Sequence, residues 1–233
     1  MRRLAIFTAA FLSILPASSY ADNPVVVELF TSQGCSSCPP ADRVLAELAD
    51  KDYVIALALH VDYWDYLGWK DAFAQPAFSA RQRNYARAWN ERSVYTPQMV
   101  VQGNQYMVGS RGDEVQRQIM EHESQPQTVM LSVAFSEGSA TISIQPADRN
   151  VAGSAVYLVG YAAGQEVTIE RGELRGQTLH YVNVVKSWDT IAEWDGASAI
   201  FLRVHDLDNL LYYAVIVQEA GQGRILAAAR LED

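Results

Sequence analysis

Cysteine is nearly absent from this chain: among 233 residues there are two, at positions 35 and 38. A multi-bridge disulfide scaffold is therefore excluded, and stability has to come from a hydrophobic core. Histidine is scarce too, with four residues. A four-ligand zinc site would need the cysteine pair completed from His60, His122, His180 or His205, and no spacing recommends any of them. Basic residues are outnumbered 18 to 27, for a net charge of −9, which argues against nucleic acid or an anionic membrane surface as partner. Membrane-crossing apolar runs are also lacking. The nearest, Leu4–Leu15, is too short to span comfortably; it follows Arg2 and Arg3 and precedes the small residues of Ser19-Tyr20-Ala21. Residues 1–21 read as a cleavable bacterial signal peptide, so the mature chain is expected in the periplasm or secreted, without stable membrane insertion. An oxidising compartment lets a disulfide persist.

What is present gathers around Val25–Asp42, VVVELFTSQGCSSCPPAD. Val25–Val27 with Leu29 and Phe30 reads as a short buried strand and Thr31–Gly34 as a turn. Pro39 and Pro40 open a helix with Val44, Leu45 and Leu48 on one face. Cys35 and Cys38 thus stand where a strand hands over to a helix N-terminus. Unpaired N–H groups and the helix dipole favour a thiolate there. A thiolate attacks disulfides, and a second thiol three residues on can resolve the mixed disulfide. The central expectation is a dithiol–disulfide redox site with no other cofactor and no metal. Half a zinc site, a purely structural disulfide and two unrelated buried thiols remain open alternatives.

Tyr53–Leu59 is a second apolar strand, ending in His60-Val61-Asp62 and followed by the aromatic run Tyr63–Trp69. That run either lines a substrate groove or caps the sheet edge. After Pro76, Phe78, Gln82, Tyr85 and Trp89 form one inward helical stripe, with Arg81, Arg83, Arg87 and Arg92 mainly off it. Thr96-Pro97 precedes a strand at Gln98–Val101, a tight turn at Gly103-Asn104 and a return strand at Gln105–Val108. A closing helix turns Val115 and Ile119 inward. The order β-α-β-α-β-β-α over residues 22–123 predicts a four-stranded mixed sheet with helices on both faces. Its first two strands run parallel and the third runs back, so Cys35, His60–Asp62 and Thr96-Pro97 meet on one rim.

Cys35-Ser36-Ser37-Cys38 after the first strand, with Thr96-Pro97 before the third, resembles the thioredoxin superfamily. The wider string CSSCPPAD, HVDYWDYLGW, TPQ and RGELRGQTLHYVNVV looks like an uncharacterised family of secreted bacterial thioredoxin-like proteins, over nearly the whole mature chain. The resemblance implies a thioredoxin-like fold, a cis peptide bond at Pro97 lying against the cysteine pair, and a partner chain held by Thr96 and Pro97. It also implies a buried acid serving the resolving thiol, for which Glu28 is the candidate, one residue out of register; pairing of Glu28 with an arginine is the competing reading. His60 would tune Cys35 or satisfy a backbone carbonyl, with Asp62 beside it as a supporting residue.

From Thr128 the pattern changes to seven or eight strands rich in β-branched and aromatic residues, among them AVYLVGYA, EVTIERG and LYYAVIVQ. Residues 128–233 are expected to form an all-β sandwich-like domain beyond a hinge at Ser124–Gln127. Arg171–Gly176 reads as a charged turn rather than a surface docked on the redox domain. The function expected is that of an exported thiol–disulfide oxidoreductase acting on protein thiols or disulfides, or on a small thiol, and recharged by a redox recycling partner; the sequence does not fix its oligomeric state. The alternatives are a non-catalytic binding protein holding copper(I) between the cysteines and His60, or holding a protein partner.

Overall fold

The computed structural model describes residues 23–136 and 138–232; the expected signal peptide lies outside the described residues. The first half follows the expected order: β1 (Val25–Thr31), α1 (Pro39–Ala49), β2 (Val54–His60), α2 (Pro76–Ala88), β3 (Gln98–Val101), β4 (Gln105–Val108) and α3 (Gly112–Glu123). β1 and β2 run parallel, from Val25 opposite Val54 to Thr31 opposite His60. Every residue of both is buried, because helices cover both faces, and so the two strands read as unbroken apolar runs. β3 lies antiparallel to β1 and pairs with β4. The turn between them sits one residue earlier than expected, with positive φ at Gln102 and Gly103.

The second half supplies β5 (Val129–Ser136), β6 (Ser139–Pro146), β7 (Ser154–Thr168), β8 (Thr178–Trp194), β9 (Ile200–Val204), β10 (Tyr212–Glu219) and β11 (Ile225–Leu231). The stretch AVYLVGYA and the first three residues of EVTIERG, expected as two strands, fall in the single long β7 (Ser154–Thr168), and the rest of EVTIERG lies beyond it. These strands are not set apart from the first half. Four of these strands extend the first sheet, whose order is β11-β10-β7-β8-β2-β1-β3-β4, while β5, β6 and β9 make a second, three-stranded sheet. The junction is narrow: Ala58 of β2 pairs with Val184 of β8, and Asn183 Nδ2 donates to Ala56 O at 2.9 Å. The open edge of β2 is completed by a strand more than a hundred residues later, and local pattern carries no information about such a pairing.

One face of the long sheet wraps α2. Phe78 and Tyr85 share a core with Val26, Phe30 and Leu57 from the first half and with Val159, Ala214 and Ile216 from the second. The sheet curls far enough for β11 to reach the β3–β4 turn, where Gln102 O accepts from Ile225 N at 2.9 Å and Gln102 Nε2 donates to Ile225 O at 3.0 Å. Gly103 is required at this closure, since a Cβ there would come within 2.7 Å of Gly223 O. On the other face, α1 and α3 cover β1, β2 and β3, and the three-stranded sheet covers β7, β10 and β11. Beyond the sheet, the β7–β8 hairpin arm packs Leu174, Leu179 and Tyr181 against Trp69 and Phe73.

Candidate functional site

Cys35 and Cys38 are joined by a disulfide, with 5.4 Å between their Cα atoms. Cys38 is the N-cap of α1, with Pro39 and Pro40 at the first helical positions. Prolines suit those positions because the N–H they lack would have no helical partner. One part of the expected thiolate stabilisation is missing as a result. The two prolines offer no N–H, and the next donors, Ala41 N and Asp42 N, are both spent on Cys38 O, at 2.8 and 3.1 Å. The helix dipole remains. Cys38 is fully enclosed and Cys35 is 5% exposed. Exposed Ser36 and Ser37 follow Cys35, and the Ser37 hydroxyl lies 3.4 Å from its Sγ.

The Thr96–Pro97 bond is cis. Gln98 pairs with Phe30, so Pro97 falls opposite the end of β1, on the rim from which the cysteine turn leaves. Three hydrogen bonds hold this segment: Trp64 Nε1 donates to Thr96 Oγ1 at 2.8 Å, Gln82 Nε2 to Tyr95 O at 2.7 Å, and Gly109 N to Pro97 O at 3.0 Å. Trp64 also closes on the cysteine turn, since a Cβ at Gly34 would lie 3.2 Å from the Trp64 Cβ. The aromatic run therefore divides. Tyr63 donates to Gln82 Oε1 at 3.0 Å, and its hydroxyl is pushed up to about 12 by burial. Trp69 donates to Gln33 Oε1 at 2.8 Å. Tyr66 is left 76% exposed.

Glu28 does not face the cysteines. It points to the α2 side of the sheet, where Arg81 Nε donates to Glu28 Oε2 at 2.6 Å and Tyr85 Oη donates to Oε1 at 2.6 Å. The arginine-paired reading holds, and Arg81, expected mainly off the inward stripe, is buried because Glu28 draws it in. Its guanidinium also donates to Gln218 Oε1 of β10 at 3.0 Å and lies 3.7 Å over the Trp188 ring of β8.

The acid on the disulfide's side is Asp42, which sequence reasoning missed although its place four residues after Cys38 puts it one helical turn along the same face. It accepts from Thr31 Oγ1 at 2.8 Å. Burial pushes its carboxyl up to about 7, against the pull of that hydrogen bond and of His60. His60 meets neither Cys35 nor a backbone carbonyl; its Nδ1 bonds Asp71 Oδ2 at 2.7 Å, which also accepts from Gln33 N at 2.8 Å. Tyr181, from the distant β8, packs edge-on against the His60 ring at 4.7 Å between centroids. His60 Nε2, Gln33 Nε2 and the Tyr181 hydroxyl are buried without partners. Asp62 accepts from Ser79 Oγ at 2.5 Å and so anchors the start of α2. The charged turn after β7 is docked after all: a Cβ at Gly172 would sit 3.5 Å from Leu67 O and from Trp69 Cβ.

The remaining histidines lie elsewhere. His180 pairs with Glu166 at 3.0 Å on the surface, His205 contacts Ser139 at 3.2 Å, and His122 sits in the last turn of α3. Among the described residues no three His, Cys, Asp or Glu side chains are grouped to hold a metal ion, so neither the zinc nor the copper alternative gains a ligand set. Among those residues, too, no helix is long and apolar enough to cross a membrane.

A search of curated proteins finds no match. Among solved structures, a structural-genomics protein from Agrobacterium tumefaciens is similar at 30% identity and a TM-score of 0.73, over 89% of this chain and 93% of that one. HBP35 of Porphyromonas gingivalis shares the fold, with a TM-score of 0.59 at 13% identity, over 89% of this chain and 74% of its own. The family described as "Protein of unknown function (DUF1223)" matches residues 26–218, and the chain belongs to it.

Proposed function

We propose that this chain is an exported thiol–disulfide oxidoreductase with a thioredoxin-like first half, acting on protein thiols or disulfides through Cys35 and Cys38. The observation that carries this reading is the Cys35–Cys38 disulfide at the N-terminus of α1, on the same rim as cis-Pro97. Of the two sulfurs, that of Cys35 is the one to be attacked, since Cys38 is fully enclosed. An incoming thiolate bonds to Cys35 Sγ, the Cys35–Cys38 bond breaks, and Cys38 departs as a thiolate at the helix N-terminus. Asp42, which titrates near neutral pH, gives that thiolate its proton and takes it back in the reverse direction. Thr96 and Pro97 hold the partner's backbone beside the sulfurs. Export rests on Arg2, Arg3 and the apolar run to Leu15, and the oxidised or reduced form is renewed by a separate redox partner.

Insulin reduction with dithiothreitol as electron source tests the reading. The wild type should accelerate it, and Cys38→Ser should accumulate mixed disulfides through Cys35. A wild type that leaves the rate unchanged, with a variant that traps nothing, overturns it.

A further inference from the structure

Tyr66 is the aromatic residue of the 63–69 run that makes no side-chain hydrogen bond and stays in solvent, 76% exposed. It stands on the short 3-10 turn Asp65–Leu67, its ring stacked on Trp64 with 6.2 Å between centroids and 28° between planes. Trp64 is fixed at both ends: its indole N–H is spent on Thr96, and its Cβ lies over Gly34, where any side chain would crowd it. The stacked pair is therefore a rigid ledge between the residue before Cys35 and the residue before cis-Pro97. The two acids of the loop are engaged within the chain: Asp62 accepts from Ser79 Oγ at 2.5 Å and Asp65 accepts from Asp71 N at 3.1 Å. Trp64 thus touches the residue before Cys35 and the residue before cis-Pro97, the two places that a chain bonded to Cys35 Sγ and lying along Thr96-Pro97 would meet.

We propose that the Trp64–Tyr66 ledge selects the substrate: extended, unfolded polypeptide in which an aromatic or large aliphatic residue stands two places from the reacting cysteine. The inference rests on the thiol-exchange reading above. Residues two apart on an extended strand face the same way, so a side chain two places from the cysteine can lie flat on Tyr66 while the sulfur meets Cys35. Small thiols without an apolar side chain gain nothing from the ledge.

The test uses the full mature chain carrying Cys38→Ser, with peptides activated as 2-thiopyridyl disulfides. Cys35 thiolate attacks the peptide sulfur, the peptide–thiopyridyl bond breaks, and pyridine-2-thione leaves and is followed by absorbance. Two peptides differ only in having phenylalanine or serine at the positions two before and two after the cysteine. The phenylalanine peptide should react about fivefold faster, the size of an aromatic contact. That ratio should fall to near one in Tyr66→Ala and persist in Tyr66→Phe. Equal rates for the two peptides, or a ratio that survives Tyr66→Ala, overturns the ledge while leaving the thiol chemistry standing. The glutathione thiopyridyl disulfide reports that chemistry separately: if the Cys38→Ser protein reacts with it no faster than free cysteine does, the thiol-exchange reading fails and the ledge falls with it.

Discussion

Glu28 and Asp42 are both buried carboxylates near β1, yet one is locked and the other is poised. Glu28, on the α2 side, takes hydrogen bonds from Arg81 and Tyr85 at 2.6 Å each, and Gln218 closes the ring of partners by donating to Tyr85 Oη at 2.9 Å. Asp42, on the α1 side, has one hydroxyl partner, Thr31, with His60 and Asp71 nearby. The carboxylate with a cation for partner lies where the two halves of the molecule join; the one without lies on the side of His60 and Asp71. Burial without a compensating charge is what raises a carboxyl.

The contrast is broken most severely at Arg81. Arg81→Met leaves Glu28 enclosed without its cation and should cost about 3–5 kcal/mol in urea unfolding. Adding Glu28→Leu should recover most of that loss, and a single variant within 1 kcal/mol of wild type would show that the pair does not bind the halves together. Asp42 comes next. Its folded value, about 7, lies above the ordinary 3.8, so the folded state holds the proton more tightly than the unfolded chain does. The stability this provides is complete below pH 4 and is lost as pH rises through 7, by at most about 4 kcal/mol. Asp42→Asn should flatten that slope, and parallel stability–pH curves for the two proteins would contradict the assignment. The smallest effect separates two tyrosines. Tyr85→Phe removes a hydroxyl bonded to a carboxylate and should cost about 1.5–3 kcal/mol, while Tyr181→Phe removes an unpartnered one and should be neutral or slightly stabilising. Equal losses would erase the distinction between the two faces.

Much of the first half was legible because its signals are local. Cys35 and Cys38 before Pro39-Pro40, the hairpin around Gly103 and Pro97 before β3 each announce themselves within a few residues. The direction of Glu28 was not legible. β1 is buried on both faces along its whole length, so the period-two alternation that would assign a side chain to a face is absent. Arg81 followed from that: a charged residue goes inward only to a partner that the helix pattern does not reveal. That one sheet takes strands from both halves was not legible for a related reason. β8 carries strand grammar along its length, but which edge it completes depends on β2 being open, a fact recorded far away in the chain. Tyr181 and the docking of Gly172 on Trp69 came with it.

In the function proposed, the Cys35–Cys38 pair exchanges with other thiols rather than bracing a turn. Its most direct test is the reduction potential of the pair in the folded protein, from equilibrium with glutathione buffers of graded composition. A value above about −300 mV, within reach of cellular thiol couples, is expected. A pair that stays oxidised throughout the series, with a potential below that mark, would make the disulfide structural and contradict it.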